Sequence, residues 1–285
     1  MAKVKTIKDK NLNGFTLKTH YIPDPNLDDT RRVRVLLPKD YDKNKKASYP
    51  VIYMFDGQNL FYDEEAYVGH SWRVSETLNA FPDIPDLIVV GIDNSPARME
   101  EYAPWPMEEN PYIDDETRGD GSLARAHAAF IVDTIKPYID KKYRTLSDKA
   151  HTALIGSSLG ASMVSYMGLA YQDVFSNLGV FSLANQYFTN GFKASIANET
   201  IDPKQKIYIQ VGTAEVESSN SSEEQQLSSQ QDYVDCSLNY CRSVLEHGLS
   251  VENIDMHIYV AEYHNERYWA KHLSDCFRFL SAEWY

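Results

Sequence analysis

Cysteine is scarce in this chain: Cys236, Cys241 and Cys276 are the three in 285 residues. Three thiols cannot build a disulfide framework, and their spacing matches no zinc pattern. Cationic side chains are the minority as well. The 28 Lys and Arg stand against 41 Asp and Glu, a formal net charge of −13. That field repels phosphate backbones, and the one dense basic cluster, between Lys43 and Lys46, sits beside Asp40 and Asp42. Nucleic-acid binding is therefore not expected. Long apolar runs are missing too. Stretches such as Leu87 to Val90 fall far short of the roughly 20 residues that span a bilayer, so no membrane partner is expected. The opening MAKVKTIKDKNLNG has no apolar signal region, which makes a cytoplasmic location the expectation. No heptad or sustained apolar face points to an interface, so the oligomeric state is not legible.

What is present suits an ordinary globular core: 43% hydrophobic and 24% charged residues. Length and composition fit one α/β domain over residues 1–285. Phe15 to Tyr21 and Arg32 to Leu37 alternate like strands with one exposed face, joined by the turn PDPNLDD. Pro50 to Phe55 and Leu87 to Ile92 are continuous apolar runs, as in parallel strands buried on both faces. Ala153 to Ile155, Leu178 to Leu183, Lys206 to Val211 and Ile254 to Val260 extend the set. Helices are predicted over Ser71 to Phe81, Leu123 to Tyr143, Leu159 to Tyr171, Tyr233 to Leu245 and Tyr268 to Phe279. Pro137 predicts a kink or an early stop in the second of these. The alternation predicts a mostly parallel central sheet with helices on both faces and antiparallel strands at the N-terminus. Two segments break the rhythm. Residues 96–121 form a long loop rich in Pro, Tyr and Trp, expected to rim a substrate site. Residues 216–231 are polar and nearly low-complexity, expected to be a mobile surface insert.

The strongest local signal is Gly156-Ser157-Ser158-Leu159-Gly160, a G-x-S-x-G string between a strand and a helix. So tight a turn needs small flanking residues and lifts the Ser158 hydroxyl above the sheet, beside the positive helix end. A free hydroxyl is a weak nucleophile near neutral pH and needs a base. In this architecture the acid follows one late strand and the histidine follows the last. His20, His70, His127 and His151 precede the serine. His247 sits at a helix end, His257 inside the last strand and His272 within the terminal helix. His264, just past the last strand, is the candidate base. Glu215, at the end of KIYIQV, is the candidate acid, with Glu217, Asp232 and Asp235 as rivals. A tetrahedral intermediate also needs two backbone donors. Leu159 supplies one amide; Gln58, in Asp56-Gly57-Gln58-Asn59, is the candidate for the other, although Asp-Gly is also a common turn pair.

Several longer segments carry a resemblance. RVRVLLPKDYDKNKKASYPVIYMFDGQNLF, VVGIDNSPARMEEYAPW, FIVDTIKPYIDKKYRTL and IGSSLGASMVSYMGLAYQDVFSNLGVFS occur in order from about Arg31 onward. Together they resemble the esterase D-type, putative-esterase branch of the α/β-hydrolases. That branch holds feruloyl, acetylxylan and siderophore esterases, S-formylglutathione hydrolases and mycolyltransferases. The resemblance implies an α/β-hydrolase fold, Ser158 as nucleophile, Glu215 in the acid position, His264 as base, and the segment after Asp56 as half of the oxyanion hole. Ala161 stands where relatives often have a second glycine, and many relatives use Asp as the acid.

The expected activity is serine carboxylic-ester hydrolysis through an acyl-enzyme, with a small-molecule ester as partner and no cofactor or metal. Neutral short-chain or phenolic esters of carbohydrates or small molecules suit the negative charge better than strongly anionic esters. Trp72, Arg98, Glu101, Tyr102, Trp105 and Tyr112 are expected around the substrate. Acyl transfer, siderophore or thioester hydrolysis, and non-catalytic binding on the same scaffold are the alternatives.

Overall fold

A computed structural model describes residues 3–8, 12–27, 29–108, 120–216 and 223–284. Nine strands form one sheet: β1 (Lys3–Ile7), β2 (Thr16–Asp24), β3 (Asp29–Leu37), β4 (Val51–Phe55), β5 (Ile88–Ile92), β6 (Thr152–Ser157), β7 (Asn177–Phe181), β8 (Lys206–Gly212) and β9 (Ile254–Tyr259). Their spatial order is β1-β2-β3-β5-β4-β6-β7-β8-β9. The pairings β1–β2, β2–β3 and β3–β5 are antiparallel, and every later pairing is parallel.

The parallel strands β4 to β8 are buried on both faces, β9 at the edge is half-buried, and alternate residues separate two cores. Val51, Tyr53 and Phe55 of β4 and Ile88, Val90 and Ile92 of β5 enter the larger one. Ile52, Met54, Val89 and Ile155 enter the other. The larger core lies under the helices α3 (Ser122–Phe130), α4 (Lys136–Lys142), α5 (Leu159–Ala170), α6 (Thr189–Ile196) and α7 (Glu223–Glu246). Helices α1 (Val74–Ala80) and α8 (Glu266–Ser281) pack on the opposite face through Val74, Trp269, Leu273 and Phe277. A short helix, α2 (Arg98–Glu101), follows β5.

The antiparallel start, the parallel sheet and the helices on both faces agree with the fold expected from the alternation of apolar runs. Pro137 neither stops nor isolates its helix. A wide π-type turn at Ile131–Ile135 joins α3 to α4 and leaves Pro137 in the first turn of α4, where the missing N–H costs little. The polar stretch 216–231 departs from expectation: α7 begins at Glu223, ten residues before the predicted start at Tyr233. Residues 223–232 carry too little apolar periodicity to announce a helix. Helix α6 was also not evident, because it buries two apolar side chains, Phe192 and Ile196. Among the described residues no helix is long and apolar enough to cross a membrane.

Where the antiparallel strands meet the parallel ones, charge is buried. Arg31 of β3 donates to Asp24 Oδ2 at 2.9 Å and to Glu101 Oε1 at 2.5 Å, with all three side chains at most 2% exposed. The guanidinium also donates to the backbone oxygen of Asp93 at 3.0 Å. Beside this network lies His127, fully buried, stacked on Tyr102 and without a hydrogen bond at either ring nitrogen. Burial, reinforced by Arg31, pushes the His127 pKa down to about 3.

Two stability measurements follow. Arg31→Met leaves two buried carboxylates uncompensated and should cost about 3–5 kcal/mol, read from urea unfolding at pH 7. Because His127 binds its proton more weakly folded than unfolded, the unfolded chain holds the extra proton between pH 6.5 and about 3. Stability therefore falls as pH drops through that window. His127→Leu should remove up to about 1.4 kcal/mol per pH unit of that slope, read from urea midpoints at pH 4.5, 5.5 and 6.5.

Candidate active site

The carboxyl ends of the parallel strands are where backbone strain collects. Asp56 after β4, Ser158 after β6, Ser182 after β7 and Ala261 after β9 all have φ between 47° and 57°. Such conformations cost about 1–3 kcal/mol each and persist where the surroundings hold them. Ser158 is the sharpest case, at φ 57° and ψ −128°, with its amide bonded to the Phe181 carbonyl at 3.0 Å. Helix α5 starts at the next residue. The reversal brings Gly156 so near the helix that a Cβ there would lie 2.5 Å from the Gly160 carbonyl oxygen. Glycine at 156 is thus a steric requirement.

Ser158 opens on a cavity of about 560 Å³ that His264, Gln58, Arg98, Glu266 and Trp269 also line. His264 stands on the turn after β9, and its Nδ1 lies 2.6 Å from Glu215 Oε2. The Glu215 carboxylate is buried and its other oxygen is saturated. Oε1 accepts the Ser182 hydroxyl at 2.6 Å and the Gly212 amide at 2.6 Å. Ser182 in turn accepts the indole N–H of Trp269 at 2.8 Å. The ring of Trp269 meets His264 edge-on at 5.1 Å, and Tyr233 packs on the imidazole at 4.8 Å. The imidazole is thus fixed in position and in tautomer: Nδ1–H faces the carboxylate, which leaves Nε2 as the basic nitrogen. Gly212 permits this approach, since a Cβ there would come 2.1 Å from the Glu262 carbonyl oxygen on the histidine turn.

Across the cavity, Asp56 begins a short 3-10 turn, Gly57–Asn59. Arg98 grips Asp56 through two hydrogen bonds of 2.8 Å, and Asn94 Nδ2 adds a third at 2.6 Å. The Gln58 side chain accepts the Asn94 amide at 3.2 Å. The amides of Gln58 and Leu159 donate to no other group of the described residues. Leu159 is the first residue of α5, where an amide has no intrahelical acceptor and the helix dipole is positive.

Of the side chains expected around the substrate, Arg98 lines the cavity and four others do not. Trp72 is buried, stacked on Trp269 at 5.6 Å. Glu101 belongs to the Arg31 network. Tyr102 lies beneath Arg98 with its hydroxyl accepting the Asp56 amide at 3.3 Å. Trp105 packs among Phe188, Phe192 and Tyr166. Aromatic rings in this segment gain more from the core than from the rim. Tyr112 and the rival Glu217 lie outside the described residues, while Asp232 and Asp235 sit on α7 and form no hydrogen bond or ion pair with His264. The cavity instead uses Asn59, Glu65, Tyr67, Val68, Asn94, Ser95, Glu266 and Trp269, which no local motif marks as lining residues. One signal was available. Glu266, Trp269 and Leu273 share the buried face of α8, and an acid on an apolar helix face calls for a reason. Burial, with Asp56 nearby, raises the Glu266 pKa.

One group of potential metal ligands occurs among the described residues, Asp24, Glu101 and His127, but the Arg31 guanidinium already bridges its two carboxylates and none of the three lines the cavity.

A mixed sheet of this order, covered on both faces and carrying a strained serine between strand and helix, defines an α/β-hydrolase. The family model for the putative esterases matches residues 25–280, and the chain belongs to that family. Its enzyme class is that of the carboxylic ester hydrolases. The uncharacterized protein YjcH of Bacillus subtilis (strain 168) is 26% identical over 192 residues, 67% of this chain and 70% of that one. An IroE-like serine hydrolase from Shewanella oneidensis superposes with a TM-score of 0.71 at 18% identity, over 98% of this chain and 79% of that one. The siderophore hydrolase EstA from Aspergillus nidulans gives 0.68 at 17% identity, over 94% of both chains.

Ser182→Ala should separate the support of Glu215 from the rest of the site. It strands the Trp269 N–H and removes one donor from the carboxylate, costing about 1–3 kcal/mol in urea unfolding. Turnover of p-nitrophenyl acetate should fall by about tenfold, with KM little changed, as the imidazole loses its fixed orientation.

Proposed function

We propose that this protein, acting as one domain over residues 1–285, hydrolyses carboxylic esters through a Ser158–His264–Glu215 triad and an acyl-enzyme. The observation that carries this reading is the pairing, in one cavity, of a strained serine with a histidine held at Nδ1 by a buried carboxylate. Ser158 Oγ attacks the ester carbonyl carbon while its proton passes to His264 Nε2. The carbonyl oxygen takes the negative charge and docks on the amides of Leu159 and Gln58. Collapse of this intermediate breaks the C–O bond, and the alcohol leaves with the proton from His264. A water molecule, deprotonated by the same nitrogen, then attacks the acyl-serine and releases the carboxylic acid. Glu215 holds the tautomer and stabilises the imidazolium.

The cavity supports neutral esters as the substrate class. Asp56, Glu65 and Glu266 face it, Asp56 paired with Arg98 and Glu65 with Arg34 and Arg32, so no lining Lys or Arg is left unpaired among the described residues. An anionic acyl group therefore finds no free Lys or Arg there to bind it. At the mouth, Tyr67 is 90% exposed and Val68 47% exposed, offering an apolar patch to a short acyl or phenolic group. Asn94 and Ser95 offer hydrogen bonds to the hydroxyls of a carbohydrate or similar alcohol. EstA is named a siderophore hydrolase, but a cavity whose lining arginine is already paired favours uncharged esters over iron-siderophore complexes.

Ser158→Ala should reduce hydrolysis of p-nitrophenyl acetate and butyrate by about 10⁴–10⁶-fold and abolish labelling by a fluorophosphonate probe. Unchanged hydrolysis in that variant would overturn the assignment. Wild-type enzyme should cleave methyl ferulate or an acetylated sugar faster than p-nitrophenyl hemisuccinate; the reverse order would overturn the substrate class.

A further inference from the structure

Glu266 is a carboxyl group that the triad does not use, since the imidazole of His264 already has Glu215 at Nδ1. Yet it is only 6% exposed, lines the cavity, and stands two residues beyond His264 in the first turn of α8. Its Oε1 accepts a hydrogen bond from Asn59 Nδ2 at 2.7 Å, across 207 residues of sequence. Asn59 is itself buried and directly follows Gln58. Its amide donates to the Asp56 carbonyl at 2.8 Å, its Oδ1 accepts the Tyr67 amide at 3.1 Å, and its carbonyl accepts the Trp72 amide at 2.8 Å. One side chain therefore gathers the turn after β4, the cavity rim and the start of α8. Among the described hydrogen bonds, Asn59–Glu266 is the one that joins the turn after β4 to the histidine turn and α8.

We propose that the Asn59–Glu266 hydrogen bond is a clamp that sets the distance between the Gln58 oxyanion amide and His264, making both partners positioning residues; this rests on the triad and oxyanion roles proposed above. Ser158 and the Leu159 amide come from one turn, so their mutual geometry is built in. The Gln58 amide and His264 come from strands β4 and β9, at separate places in the sheet, and need a tie. Asn94 holds the Gln58 turn on its other side but does not reach the histidine. The burial of Glu266 against a neutral amide donor follows from this role: a carboxyl there costs desolvation, and the helix start and the Asn59 N–H offset it.

The test is a double-mutant cycle on p-nitrophenyl acetate hydrolysis, with binding of an aliphatic trifluoromethyl ketone as a mimic of the tetrahedral oxyanion. Glu266→Ala and Asn59→Ala should each lower kcat by about 10–100-fold, with KM within about threefold, and weaken the ketone by a similar factor. The double variant should be no worse than the poorer single one within about threefold. Glu266→Gln keeps the acceptor and should recover most of the loss. Asn59→Asp alone should be impaired, and Asn59→Asp with Glu266→Gln should regain activity, because the new amide donates to the new carboxylate. Thermal melts accompany each variant; if the alanine variants fail to fold, the swapped pair decides. Losses that multiply in the double variant, wild-type kcat in Glu266→Ala, or a folded swap without recovery would each overturn the clamp. Fluorophosphonate labelling of wild-type Ser158 separates the two levels. A labelled enzyme with an intact Glu266→Ala variant sinks the clamp alone, whereas an unlabelled enzyme sinks the triad reading and the clamp with it.

Discussion

The structure turns on one backbone reversal. At Ser158 the chain leaves β6 at φ 57° and enters α5 within a residue, and glycine at 156 is needed for the close approach of strand and helix. An L-residue resists that conformation, so the rest of the fold must hold it in place. Burial of β6 on both faces, the Phe181 carbonyl on the Ser158 amide, and the packing of α5 over β6 and β7 supply the restraint. The order of the sheet adds to it. The crossover from β4 goes to β5 on one side, and the next goes to β6 on the other. Loops after β4 and β6 therefore part and leave a crevice, the usual place for a ligand in such sheets.

The carboxylates of Glu215 and Glu266 illustrate how position divides labour between like groups. Glu215 has no exposure and three partners, so it meets the imidazole as a fixed acceptor. Glu266 has its main partner on the opposite loop and faces the cavity. Strain at Asp56, Ser182 and Ala261 lies under the same groups, each on a turn that presents one piece of the site. The energy stored in those turns is repaid by the two cores beneath, where alternate residues of the parallel strands β4 to β8 are buried.

Much of this was legible from residue order alone. Continuous apolar runs such as PVIYMF and LIVVGI marked the parallel strands, because burial on both faces erases alternation. The G-x-S-x-G string marked the serine turn because its first glycine, Gly156, answers a steric demand rather than a preference. His264 followed from chain order, and Glu215 from the end of β8. The cavity wall was harder. Trp72, Trp105 and Tyr102 were drawn to it by their chemistry, yet large rings gain most where they are buried. The residues that do line the cavity, such as Asn59 and Glu266, are 207 positions apart and share no local pattern. Their meeting is a tertiary fact. Helix α7 stayed hidden at its N-terminal half for a different reason, since a polar helix carries no periodic stripe to read.

The strand order has a consequence for the timing of assembly. Ser158, Glu215 and His264 hang from β6, β8 and β9, and β4, which brings the Gln58 turn, pairs with β6 across nearly a hundred intervening residues. Each pairing is parallel and needs its crossover segment closed first, which makes such contacts slow to form. The esterase site is thus a late arrival on the folding route, complete only once both edges of the parallel sheet have docked. In a refolding experiment the return of ester cleavage would lag the return of helical signal, and would mark the closing of the last strand rather than the collapse of the chain.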